Sequence, residues 1–88
     1  MNTSAEAVQL LQEALAKTKA ATGVINDLIV AHDYQDVAGL VTQSTAALLE
    51  SAVALLQSND EDALDAMERA DDLLDTAWSI IDRETDEE

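Results

Sequence analysis

The stretch from Asp60 to Glu84 constrains the fold more than any other part of the chain. Set on a helix at about 100° per residue, Ala63, Ala66, Met67, Ala70, Leu73, Leu74, Ala77, Trp78, Ile80 and Ile81 share one broad side. Asp65, Glu68, Asp72, Asp75 and Asp82 share the other, with Asp71 at the boundary. The apolar arc covers about half of the helix surface, wide enough to touch two neighbours. One side can anchor a core, and the opposite side is almost purely anionic.

Two further helices precede it. Thr3-Ser4-Ala5-Glu6 fits a capping box with Thr3 as N-cap. Ala7, Val8, Leu10, Leu11, Ala14 and Leu15 follow at helical spacing. Carried through Gly23, the pattern puts Ala21, Ile25, Leu28 and Ile29 on the side of Leu11 and Ala14. The spacing therefore predicts a first helix over residues 4–31, weakened at Gly23 by about 1 kcal/mol relative to Ala. A helix end at Gly23 is the alternative. Val37, Leu40, Val41, Leu48, Ala52 and Leu55 form a second stripe, rotated by roughly 140° from the first if the helix runs on. Drift of about 20° per heptad cannot produce that jump. A break is expected near His32–Asp33, with Asp33 as N-cap and Asp36 in the first turn of a second helix over 34–57. Ser58-Asn59-Asp60 is the next turn, with Asn59 or Asp60 as cap. The third helix spans 60–84, and 85–88 form a frayed acidic end.

The expected fold is all-α: a single domain, residues 1–88, built as an antiparallel three-helix bundle. The absence of Pro and the presence of only two Gly favour helix throughout. Phe is absent, so the core is aliphatic and thin. Domains this small often gain stability from a partner or from self-association. Leu11, Leu15, Ile25, Leu28, Val41, Leu48, Leu55, Met67, Leu74 and Ile81 are the expected core, with Trp78 beside Leu74 and Ile81. The outward side of helix two carries Gly39, Thr42, Gln43, Ala46, Glu50, Ala54 and Gln57. Small residues suit close helix packing, so this side is either an ordinary exposed face or the contact in a homodimer formed through helix two.

Charge narrows the choice of partners. The net charge is −15, and residues 59–88 hold thirteen of the nineteen acidic side chains against Arg69 and Arg83. Direct contact with nucleic acid or an anionic membrane is disfavoured by repulsion. Basic protein surfaces fit. Charge of this kind also occurs in proteins adapted to high salt. Unbroken apolar runs are short and the start is unlike a secretory signal, so a cytoplasmic protein without a membrane span is expected. With no Cys there is no thiol nucleophile or disulfide. The serines lack an inferable His–acid arrangement, and the single histidine, His32, sits at a helix end as a structural residue. Glu68, Asp71, Asp72 and Asp75 could offer oxygens to a divalent cation, but one helix rarely completes a coordination sphere. Neither enzyme activity nor a metal or cofactor is expected.

Two segments resemble known families. Residues 54–75, ALLQSNDEDALDAMERADDLLD, look like the helix–turn–helix of PhoU-type phosphate-regulatory proteins, which are built from three-helix units with acidic metal-binding motifs. Residues 27–41, DLIVAHDYQDVAGLV, are similar to the active segment of the CheZ chemotaxis phosphatase. There an Asp contacts a phosphorylated response regulator and a Gln four residues later orients water. The Asp maps onto Asp36 and the Gln position holds Leu40, so the resemblance implies regulator binding without catalysis. Ala70–Asp75 resembles the acidic regulator-binding peptide of the same family.

The functional expectation is a non-enzymatic acidic interaction module. Asp65, Glu68, Asp71, Asp72, Asp75 and Asp82 would engage a basic surface on a partner protein, as a nucleic-acid-mimicking inhibitor or regulator does. The alternative is a catalytically inactive, response-regulator-binding accessory that uses Asp36.

Overall fold

The computed structural model describes residues 3–30 and 34–86. They form three helices, α1 (Ser4–Asn26), α2 (Gln35–Leu56) and α3 (Asp60–Asp86), with no strand among the described residues. The fold is an all-α three-helix bundle. α2 packs against both α1 and α3, while α1 and α3 do not touch. The helices therefore lie side by side with α2 in the middle.

Thr3 caps α1 as its sequence suggests, its hydroxyl accepting from the Glu6 N–H at 3.2 Å. α1 continues through Gly23 but stops at Asn26, five residues before the expected end at 31. α2 meets α1 at this end. The Gln35 side-chain amide donates to the Ile25 carbonyl at 2.7 Å, satisfying one of the orphan acceptors of the last turn. Gly39 is buried at the same crossing. A Cβ there would lie 3.0 Å from Asn26 Oδ1, so any side chain at this position would press on the Asn26 side chain at the crossing.

The break between the first two helices falls between Asn26 and Gln35, bracketing the expected position. Ala31, His32 and Asp33 lie outside the described residues, and with them the expected cap at Asp33. The residue preceding α2 is Tyr34, in the left-handed region at φ 64° with no side-chain cap.

The second turn is fully bonded. Ser58 takes the left-handed conformation, φ 59°. Its N–H donates to Leu55 O at 3.1 Å, and the Asn59 N–H donates to Ala54 O at 2.8 Å. This pair closes a helix end by capping two terminal carbonyls. Asn59 then starts α3, accepting from the Asp62 N–H and donating to the Asp62 carboxylate at 2.6 Å. α3 runs on to Asp86, so Thr85 and Asp86, expected to fray, are helical; Glu87 and Glu88 lie outside the described residues.

The expected core is corrected in an informative way. The buried residues are small: Ala63, Ala66, Ala70 and Ala77 on α3, and Gly39, Ser44, Ala46, Ala47, Ser51 and Ala54 with Val37 on α2. Leu11, Leu15, Ile25 and Leu74 are half-buried. Leu28, Val41, Leu48, Leu55, Met67, Ile81 and Trp78 are exposed, Trp78 by 65% and Leu48 by 46%. Helices meet closely where side chains are short. Because α3 touches only α2, its four buried alanines can be covered by α2 alone. The two buried serines bond to carbonyls of their own helix, Ser44 to Val41 O and Ser51 to Leu48 O, and so bring no unpaired polar atom to the seam.

The small side of α2 is also corrected. Gly39, Thr42, Ala46, Glu50 and Ala54 were expected to face outward, toward a second chain. They face α1 and α3 instead: Thr22 Oγ1 donates to Thr42 Oγ1 at 2.7 Å, and Glu50 pairs with both neighbouring helices. α2 is also long and apolar enough, by length and composition, to cross a membrane, which its short apolar runs had not suggested. Its polar interruptions are mostly Ser, Thr and Gln, and only Asp36 and Glu50 are charged.

Candidate interaction surface

Glu50 marks one side of the layer. Its carboxylate meets Arg69 Nη2 of α3 at 2.8 Å and Lys19 Nζ of α1 at 3.5 Å. These are the ion pairs among the described residues, and they tie α1 and α3 to the helix between them. Lys19, Thr22, Gln43, Glu50, Arg69 and Asp72 line the resulting groove. Partial burial works against the Glu50 charge, but the hydrogen bond from Arg69 and the positive charges of Arg69 and Lys19 outweigh it. The carboxyl therefore titrates below the ordinary glutamate value. Sequence reasoning missed this node. The available signal was a lone mid-helix acid in an apolar helix, together with two of only four basic residues.

A pH effect follows with a definite sign. A folded-state pKa below the unfolded one stabilises the fold above the unfolded value, and the gain disappears as pH falls through the folded value. Lys19 and Arg69 are largely exposed, so the pairs are screened. Glu50→Gln should cost about 0.5–1 kcal/mol at neutral pH. The difference from wild type should shrink below the ordinary glutamate pKa of about 4.3 and vanish once the pH lies below the lower folded-state value. Urea unfolding of both proteins at neutral and acidic pH checks it, and a gap independent of pH would contradict the assignment.

The acids of α3 lie on its outward surface. Asp65, Glu68, Asp71, Asp72, Asp75 and Asp82 are all exposed. By helical phase they fall within an arc of about 120°. Asp72 and Asp65 lie at the groove-side edge of the arc and Asp71 at the other edge. None of the six makes an ion pair among the described residues, and the nearby Arg69 is committed to Glu50. No three His, Asp or Glu among the described residues gather where they could hold a metal ion. The six carboxylates therefore share one outward side of α3, with Arg83 beside Asp82 at its C-terminal end. Asp36 is exposed in the first turn of α2, on another helix. The continuous helix that the CheZ segment implies is interrupted between Asn26 and Gln35.

Comparison with protein-family models, with curated proteins and with solved structures gives no match to this chain.

Proposed function

We propose that the protein is a non-enzymatic interaction module whose α3 acids bind a basic surface on a partner protein. The observation that supports this is the strip itself: six exposed carboxylates in one arc, with the Arg69 guanidinium turned to Glu50 and Arg83, beside Asp82, the one cation within the arc among the described residues. Carboxylates on successive turns lie about 5–6 Å apart, a spacing of the same order as phosphates along a nucleic-acid strand. The strip is suited to occupy a groove that otherwise receives nucleic acid, as an inhibitor or regulator would. Attraction of this kind is screened by salt.

Asp72→Asn with Asp75→Asn tests it. Both side chains are exposed, so helicity should be unchanged. Affinity for a basic protein captured on the wild-type chain should fall about tenfold at low salt, with the difference shrinking at high salt. Equal affinity of wild type and variant at both salt concentrations would overturn the proposal.

A further inference from the structure

The side of the layer opposite Glu50 carries the large apolar residues. Helical phase fixes this. On α3, Arg69 reaches into the groove, and Met67, Leu74 and Trp78 lie about 140–180° away around the helix. On α2, Val41, Leu48 and Leu55 lie a similar angle from Glu50. On α1, Leu10 lies about 180° from Lys19. Leu10, Val41, Leu48, Leu55, Met67 and Trp78 are all exposed, and Leu74 is half-buried. One face of the protein thus holds the side chains that normally form a core.

Area indicates how much is missing. The chain exposes 6335 Å², whereas a folded monomer of its 9.4 kDa mass exposes about 5,000 Å². Its radius of gyration is 15.3 Å, against about 12 Å for a compact domain of this length. The surplus of roughly 1,300 Å² is more than the roughly 800 Å² per partner that a stable interface hides. α2 makes the same point. An almost uncharged helix is at home with apolar cover on every side, and here α1 and α3 cover two flanks only.

We infer that a second copy of this chain covers this face, forming a symmetric dimer with its two-fold axis parallel to α2. Charge selects this arrangement. α1 and α3 run in the same direction on either side of α2, and Lys19, Glu50 and Arg69 set a common level along them. Lys17 lies two residues before Lys19, and Asp71 two residues beyond Arg69. Their levels differ by about 6 Å at 1.5 Å per residue, a span within reach of a lysine side chain. Both are exposed, and both lie at the outer edge of the apolar face. With the axis parallel to α2, the partner's α1 lies against α3, and the partner's Lys17 meets Asp71 at each end of the interface. An axis across α2 would instead set α3 on the partner's α3, acid on acid. The proposal shares only Asp71, at the edge of the arc, with the acidic-strip reading, whose test uses Asp72 and Asp75 on the outward side.

Sedimentation equilibrium of the full chain over a wide concentration range, at salt high enough to screen the net charge, is the test. The expected mass is twice that of one chain, with Trp78 emission shifting to the blue as the dimer forms. Leu48→Gln should weaken association about tenfold or more. Lys17→Glu and Asp71→Lys should each weaken it several-fold, and the two together should restore it. These surface changes keep the test intact if Leu48→Gln fails to fold. A single-chain mass throughout would overturn the inference, and uptake of that monomer by phosphatidylcholine vesicles would assign the face to lipid. A dimer that the double charge exchange does not rescue would overturn the arrangement.

Discussion

Ala70→Leu should cost about 2–3 kcal/mol and lower the melting temperature by roughly 10–20 °C. Ala70 is only 1% exposed, in a seam that α2 alone closes. Three extra carbons there have nowhere to go unless the helices separate, and separation loses the contacts of Ala63, Ala66 and Ala77 as well. Against a total stability of about 5–15 kcal/mol for a domain, that is a large fraction. The expected signature is a cooperative melt by circular dichroism at a much lower temperature than wild type. Leu64→Ala, a change of opposite sense at a site 59% exposed, should move the midpoint far less. Equal midpoints for Ala70→Leu and wild type would mean that α3 meets α2 on a different side.

Gly39→Leu should loosen α1 while leaving α2 and α3 paired. Gly39 sits where the end of α1 crosses α2, and even a Cβ would press on Asn26. Since α1 touches nothing but α2, once this crossing opens only the rest of that one seam, with the Thr22–Thr42 bond and the Lys19–Glu50 pair, still holds it. Hydrogen exchange read residue by residue should show protection lost over residues 4–26 and retained in α2 and α3. Such local opening is expected where one element depends on a single neighbour. Uniform loss in all three helices, or no loss in α1, would contradict the arrangement.

Helix number, the turn at Ser58–Asn59 and the cap at Thr3 were legible in the sequence because they are written in local chemistry. Period, capping residues and the phase jump between Ile29 and Val37 all act within a few residues of one another. The choice of buried side was not legible. On α3, Ala63, Ala66, Ala70 and Ala77 share one broad arc with Met67, Leu74 and Trp78, and hydrophobicity points to the centre of that arc. Close approach of two backbones favours its alanine edge instead. The same conflict turned the Gly39–Ala46 side of α2 inward and left Leu48 and Leu55 outside. The end of α1 was hidden for a related reason, since the Gln35 amide that caps it belongs to another helix. The acids of α3 were legible as a strip because charge, unlike apolar size, admits only one side.

The two connections differ in kind, and this bears on the order in which the molecule assembles. Residues 57–59 join α2 to α3 through a turn whose backbone groups are already bonded to each other and to both helix ends. α1 reaches α2 across the longer segment between Asp27 and Tyr34. Among the described residues, every helix–helix contact is therefore made between helices adjacent in the chain. The entropy of closing each loop is small, and topologies dominated by such local contacts fold in microseconds to milliseconds. On this argument the α2–α3 hairpin should form first and α1 dock onto it last, so destabilising substitutions in the α2–α3 seam should slow folding while those in α1 mainly speed unfolding.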